Sequence, residues 1–538
     1  MAKPKIPNQK KKYQELNSRI NRYVVLVEQI YDTLNLDAAK AVSRTEYSSD
    51  SNKPFKWSDY PQTKKQIDDI QRHFVEDINA IIYRGTTEEW KNSNEAQDLI
   101  ANRVLKAYNA QVDREKYKVL YQVNSDALKA FQNRKDKGFN ISAKLWQQSM
   151  IYKEELEAAI SCAIQKGTSA VTLSKQISQY LLDFPSLQKD YKDRYGSAEH
   201  IQDCEYRSIC LARSEINMAY QTSENERWKQ MDFVVGYEIK LSSSHHNRMP
   251  HGDICDTLAG KYPKDFSWTG WHPNDLCYKV PILKTEEEFW EWDGLSDVST
   301  ESINEVKDVP DEFKKWVLDN QQKIEKARER NTLPYFLRDN KSIVQNINTE
   351  NSAKELVNRA SLVGKEVQSL AESIAKNNKG FVTPINYKSI SSITRKATTE
   401  GITPYDIKDA VRTTIIVPKS QIDQVLNELS ENDSFVRLKR QKPESFMGYS
   451  GNIVNIQTSN GLIAEIQVNT DRMIYAKEKP EDAKRILGEK RWKDIQNQTG
   501  MKGGLGHKYY EEWRVLDKAD KKAQKIVEKS IEYYSHFQ

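Results

Sequence analysis

From Tyr13 to about Lys229, apolar residues recur at helical spacing with little turn chemistry between them. Ile20, Val24, Val25, Leu26, Val27, Ile30, Tyr31 and Leu34 make one apolar stripe, the mark of an amphipathic helix. Pro, Gly, Ser and Asp cluster at 48–61, 135–140 and 183–197, and helix breaks are expected there. The character changes between Gly236 and Leu283, where short β-like pieces at 236–239 and 278–282 surround a loop dense in His, Cys, Pro, Gly and Trp. The stretch 285–308 is acidic (Glu286, Glu287, Glu288, Glu291, Asp293, Asp297), and a helix over 310–330 then leads into Leu333–Asn340. We read it as a connector.

After about Glu350 the pattern predicts helices at 352–376 and 419–431. Four apolar-polar alternating runs lie at 412–417, 435–441, 452–458 and 462–470. The last two are joined by Ser459-Asn460-Gly461, and Asn-Gly is the strongest short hairpin signal. Within that hairpin, Val454, Ile456, Ile466 and Val468 fall on one face, and Asn455, Gln457, Glu465 and Gln467 on the other. Alternation alone makes the second face a solvated one. A charged helix over 509–534 closes the unit. The expected organisation is a mostly α region at 1–200, a small irregular α+β module at 201–285, a connector at 286–350 and an α+β domain with a mixed sheet at 351–538.

A length of 538 residues agrees with three or four domains. Balanced charge, 82 basic against 77 acidic residues, gives +5 overall, too little to mark a nucleic-acid binder, so any basic footprint must be local. No run approaches 18 apolar residues, and Lys3, Lys5, Lys10, Lys11 and Lys12 lead into a polar helix in place of a signal-peptide core. A cytoplasmic protein without membrane partners is expected. Five cysteines are few and odd in number, which disfavours a disulfide framework and leaves a metal site open. His251 and Cys255, four apart, with His272 and Cys277, could bind Zn²⁺ tetrahedrally; the other reading is a hydrogen-bonded loop with buried thiols. The commoner role of Arg213 and Glu215 is a helix-surface ion pair, and of Trp268, Trp271 and Trp290, packing.

Two features give the polar face of the hairpin chemical meaning. Lys388-Ser389-Ile390-x-Ser392-Ile393-x-x-Lys396 precedes Asp409-Ala410-Val411-Arg412, so cations and a carboxylate converge on one sheet, as polyphosphate transfer requires. Gly448-Tyr449 sits beside the basic run Arg437, Lys439, Arg440, Lys442, a ring that can stack on a base next to charges that can meet phosphates.

Together with Glu465-Ile466-Gln467-Val468-Asn469-Thr470 and Gly506-His507-Lys508-Tyr509-Tyr510, these segments resemble the synthetase domain of the RelA/SpoT nucleotidyltransferase-like family over about 355–515. The resemblance implies an ATP-dependent pyrophosphokinase that moves the β,γ-pyrophosphate of ATP to a 3′-hydroxyl with Mg²⁺. It makes Glu465 the base and a metal partner, with Gln467 as a second catalytic residue. Lys388, Lys396 and Arg412 would hold the ATP phosphates, Tyr449 would stack on the acceptor base, and Ser392, Lys439, Arg440 and His507 would complete the substrate-binding set, His507 at the edge of the site. The family's metal aspartate falls at Ile407 here, between Asp406 and Asp409, leaving open which of the two binds Mg²⁺. Asn386 replaces an arginine of the family, and Ser450-Gly451-Asn452-Ile453 replaces its Arg-Ser-x-His. The acceptor could be a guanine or adenine nucleotide or tRNA. No His-Asp hydrolase motif precedes the unit, so an unopposed synthetase, and hence a toxin with an immunity protein as partner, is implied.

The segment 100–285 resembles the phage Mu protein F-like minor head proteins through Ala212-Arg213-Ser214-Glu215, the His/Cys loop and the closing His272-Pro273-x-x-x-Cys277. That resemblance implies a virion protein partnered by phage portal and capsid proteins, delivered to or released in a bacterial cytoplasm. The other reading is purely structural, with a C-terminal domain that binds a nucleotide or a partner without turnover.

Overall fold

The computed structural model describes residues 6–47, 53–107, 115, 117–164, 169–285, 287–288, 302–440, 446–517 and 520–538. The chain divides into two compact units, 1–344 and 345–538. The helix Lys341–Asn377 runs through this division and through the expected boundary at 350. Among the described residues, no helix is long and apolar enough to cross a membrane.

The first unit is built on the long helices Gln9–Ser43 and Pro61–Ala107, packed with Ile141–Ala163 and Cys204–Gln230. Asn8 starts the first by accepting from the Lys11 amide at 3.1 Å. Val27, Tyr31, Leu34, Phe74, Ile78, Tyr152 and Leu156 share the core. The apolar stripe is narrower than expected, because Val25 and Leu26 are 48% and 38% exposed. Four consecutive residues sweep a whole turn, so 24–27 cannot all face inward. The break expected at 183–197 holds the helix Phe184–Tyr195, started by Asp183, which accepts from the Ser186 amide at 3.2 Å, with Pro185 in the first turn.

Glu215 is not a surface pair with Arg213. Its carboxylate is buried between Arg134 at 2.5 Å and Lys144 at 3.2 Å, which makes it a core ion cluster.

The first sheet has strands β1 (Val234–Lys240), β2 (Gly260–Tyr262) and β3 (Tyr278–Leu283) in the antiparallel order β2-β1-β3. Trp268 and Trp271 are buried, as packing predicts, and Trp290 lies outside the described residues with Glu286, Glu291, Asp293 and Asp297. The connector is two helices, Asp311–Asp319 and Gln321–Glu329, and Phe313 packs edge-on against Tyr262 and Phe266.

The second unit is an α+β layer. Its strands are β4 (Phe381–Val382), β5 (Asn386–Tyr387), β6 (Val411–Ile416), β7 (Phe435–Arg440), β8 (Asn452–Gln457) and β9 (Ile463–Asn469). They form one mixed sheet in the order β4-β6-β9-β8-β7, with β5 also on β6; β6 and β9 are parallel and the other pairs antiparallel. The β8–β9 hairpin turns at Gly461, whose φ of +79° suits glycine and whose amide donates to the Thr458 carbonyl at 2.8 Å. Helices Lys341–Asn377 and Ile422–Ser430 cover the apolar face through Leu356, Val363, Val425 and Leu429, against Ile415, Val454, Ile466 and Val468.

The single helix expected at 509–534 is two, Leu505–Arg514 and Lys521–Ser535. Ahead of them lie Asp471–Lys477, Pro480–Leu487 and Glu489–Thr499, which the periodicity does not reveal.

Candidate active site

Register brings the polar side chains into rows. Asn386 pairs with Arg412, Arg412 with Glu465, Glu465 with Asn455, and Asn455 with Arg437, so one line crosses β5, β6, β9, β8 and β7. The next row carries Thr414, Gln467, Ile453 and Lys439. This face is not the solvated one that alternation suggested: Glu465, Gln467 and Asn455 are only 9%, 8% and 1% exposed.

The Glu-Ile-Gln-Val-Asn-Thr strand explains much of that cover. Thr470 ends β9 and caps the next helix by accepting from the Met473 amide at 3.2 Å. The helix carries Lys477 back to the sheet, where its ammonium donates to Gln467 Oε1 at 3.0 Å, and Gln467 Nε2 donates to Glu465 Oε1 at 2.6 Å. This relay fixes the carboxylate, whose Oε2 accepts no hydrogen bond among the described residues. Burial opposes the charge on Lys477, but Tyr449 and Glu478 outweigh it and raise its pKa.

Lys388 and Lys396 both converge on Asp409, at 2.5 Å and 3.1 Å. Burial pushes the Asp409 carboxyl up, but the two ammoniums outweigh it and hold it below its ordinary value. Asp406 is elsewhere: exposed, it accepts from the Thr403 amide and hydroxyl and closes a local turn. Asp409 is therefore the carboxylate that belongs with the lysines. Ser392 hydrogen-bonds to Ser389 in the first turn of the helix Ile390–Glu400, which carries Lys396.

A cleft of about 590 Å³ opens beside the polar rows, lined by Arg412, Thr414, Gln467, Lys477, Glu478 and Arg485 among others. Lys477, Glu478 and Arg485 were not singled out from sequence. The available signal was Thr470-Asp471, a helix start that places position 477 about two turns on.

The acceptor side differs more from expectation. Arg440 cannot share the face of Lys439, its strand neighbour; it pairs with Asp423 at 2.9 Å on the helix behind the sheet. Arg437 instead reaches Asn455 at 3.0 Å. Lys442 lies outside the described residues. The Tyr449 ring is half-buried: its hydroxyl meets Asn469, Tyr534 lies 5.7 Å away and the Lys477 ammonium 5.5 Å from its centre. His507 is exposed on the helix Leu505–Arg514, 3.9 Å from Glu511.

In the first unit, the expected metal set is rearranged. His251 is exposed and outside the cluster, while His245 joins Cys255 and Cys277 with ligand atoms within 4.8 Å of one another. His272 Nε2 is 3.2 Å from Cys255 Sγ.

No family model matches the chain. Over 182 residues it is 35% identical to the (p)ppApp synthetase toxin Tas1 of Pseudomonas aeruginosa (strain UCBPP-PA14), a match covering 34% of this chain and 41% of that protein. The chain thus spans under half the length of this curated relative. Among solved structures, the complex between the Type VI effector Tas1 and its immunity protein matches at 34% identity, over 35% of this chain and 96% of that one, with a TM-score of 0.32. The small alarmone synthetase 1 from Bacillus subtilis matches at 16% identity, over 34% and 89%, with a TM-score of 0.24.

Proposed function

We propose that the second unit is a toxin enzyme that transfers the β,γ-pyrophosphate of ATP to the 3′-hydroxyl of an adenine nucleotide. The observation that carries this reading is the 35% identity with a (p)ppApp synthetase toxin, and the buried Glu465, set beside a cationic cleft, supports it. In this reading Glu465 takes the proton of the acceptor hydroxyl. The hydroxyl oxygen attacks the β-phosphorus, the bond from that phosphorus to the α-phosphate oxygen breaks, and the electron pair leaves on AMP. Arg412, Lys477 and Arg485 meet the charge that grows on the phosphate oxygens.

Asp409, whose two oxygens accept from Lys388 and Lys396, and Glu465, whose Oε2 accepts no hydrogen bond among the described residues, are hard oxygen donors of the kind Mg²⁺ takes, one or two carboxylates with phosphate and water completing the shell. They would hold the ion, which when bound neutralises phosphate charge.

The test is the full chain, wild type and Glu465→Gln, incubated with γ-labelled ATP, Mg²⁺ and separately AMP, ADP, GDP, GTP or deacylated tRNA. Glu465-dependent label on AMP or ADP is the expected result. Label on GDP, GTP or tRNA replaces the acceptor, and no transfer to any of them returns the unit to a nucleotide- or partner-binding role. A cell that makes such an enzyme needs an immunity protein, so expression without one should arrest growth in the wild type only.

For the first unit we propose the minor head role that its Ala212-Arg213-Ser214-Glu215 helix and His272-Pro273-x-x-x-Cys277 closure resemble, with phage portal and capsid proteins as partners and the bacterial cytoplasm as the enzyme's destination. Copurification with intact particles is expected; absence from them rejects this role.

A further inference from the structure

We propose that the first unit holds one structural zinc ion on His245, Cys255, Cys277 and His272. Three short segments meet there. The helix His245–Arg248 follows β1, the helix Ile254–Leu258 carries Cys255 in its first turn, and the loop before β3 carries His272 and Cys277. Cys255, Cys277 and His245 are 0%, 3% and 5% exposed, and His272 lies at the solvent edge of the cluster, its side chain 33% exposed. Neighbouring ligands on tetrahedral zinc stand about 3.3–3.8 Å apart, from bonds of about 2.0 Å to nitrogen and about 2.3 Å to sulfur. His245, Cys255 and Cys277 group within 4.8 Å of one another and close to that by side-chain rotation, and His272, which stands outside that group, joins from its place 3.2 Å from Cys255.

The surrounding hydrogen bonds fit a metal better than simple packing. His272 Nδ1 lies 2.8 Å from the Pro273 carbonyl, to which it can only donate, and in the neutral ring this leaves Nε2 as a lone pair. That lone pair faces Asp253 Oδ2 at 3.2 Å, a buried oxygen with no hydrogen-bond partner among the described residues. With that ring neutral, the single proton of the Cys255 thiol, whose sulfur lies 3.2 Å from Nε2, cannot serve both acceptors, and a cation beside them would. Asp256 meets His245 Nε2 at 2.8 Å and orients that ring. Asp275 accepts from the Trp271 and Cys277 amides, at 2.8 Å each, and fixes the loop that presents His272 and Cys277. Two sulfurs with two imidazoles select zinc over Mg²⁺ or Ca²⁺, which take oxygen. The ion would tie together the irregular loops around a three-stranded sheet whose β2 is only three residues long.

Full-length protein, dialysed against zinc and freed of excess, should carry about one zinc per chain by elemental analysis, and cobalt in its place should give thiolate-to-metal charge-transfer and tetrahedral d–d bands. Cys255→Ser with Cys277→Ser should lose both, while His251→Ala, exposed and outside the cluster, should keep both. A wild-type chain with under about a tenth of a zinc and no cobalt–thiolate band overturns the proposal in favour of a packed thiol–imidazole cluster. Zinc retained by the double cysteine variant overturns it equally. Should that variant not fold, the wild-type cobalt spectrum decides alone.

Discussion

Arg412 and Glu465 are in register across the parallel β6–β9 pair, and no ion pair joins them among the described residues. Glu465 is fixed from its own strand, by Gln467, which is itself held by Lys477. The guanidinium thereby stays available to the cleft it lines.

Gln467 is then a positioning residue. Gln467→Leu removes the donor to Glu465 and the acceptor of Lys477 without placing a charge in the site. A misplacement near 1 Å costs on the order of 100-fold in rate, so kcat should fall about 10- to 100-fold while KM for ATP stays within about twofold. Steady-state kinetics separate the two. A purely structural role would move both together with the unfolding midpoint.

Gly448 serves the fold in a way its place in a Gly-Tyr motif does not reveal. Its φ is +78°, and an added Cβ would stand 2.8 Å from the Ile531 Cα on the terminal helix, where Ser530 also donates to the Met447 carbonyl at 2.9 Å. Gly448→Ala meets both backbone strain and a clash that no side chain can relieve, and should cost about 3 kcal/mol or more. Gly461→Ala has a φ of +79° but open space, so only about 1 kcal/mol is expected. Denaturant unfolding of the two variants should rank them in that order.

The hairpin, its register and the split of Val454 and Ile466 from Asn455 and Glu465 were all legible, because period-2 alternation and Asn-Gly are local signals. That Glu465 is buried was not legible. Its cover comes from segments beyond β9, whose helices are short and polar: Glu489–Thr499 buries little besides Ile495. Arg440 was misplaced for a related reason, since charge composition says what a run contains and alternation decides which face it serves. His245 escaped notice because its partners Cys255 and Cys277 are ten and more residues away and only the fold joins them.

Glu215 carries two cations in the core of the first unit, Arg134 at 2.5 Å and Lys144 at 3.2 Å, and Lys144 also meets Asp136 at 3.0 Å. Removing the shared carboxylate leaves two ammonium-type charges facing each other in a low-dielectric site. Glu215→Ala should destabilise the unit by about 3–5 kcal/mol, whereas Arg213→Ala, which Glu215 does not pair with, should cost under about 1 kcal/mol. Thermal unfolding of both variants checks the contrast.

Lys279 on β3 is wholly buried among Trp228, Tyr237 and Trp268, with its ammonium 5.0, 5.5 and 5.9 Å from their ring centres. Burial lowers its pKa to about 8, against the pull of Glu224 at 3.5 Å. An unfolded lysine titrates near 10.4, so between about pH 8 and about pH 10 the unfolded chain binds the extra proton and stability rises with pH. Below that window both states are protonated and the penalty is constant. Tyr13 and Lys12, the other titrating groups on Glu224, have raised pKa values, so their effect has the opposite sign and falls above pH 10. Burial also pushes the Cys162 and Cys204 thiols up, which lowers stability over the same interval in either protein, so the difference is the readout: from about pH 8 to about pH 10 the wild type should gain of order 3 kcal/mol relative to Lys279→Met, where Lys12 still neutralises Glu224 at 2.9 Å. Parallel curves for the two proteins over that interval would place the Lys279 proton in the folded state as firmly as in the unfolded one.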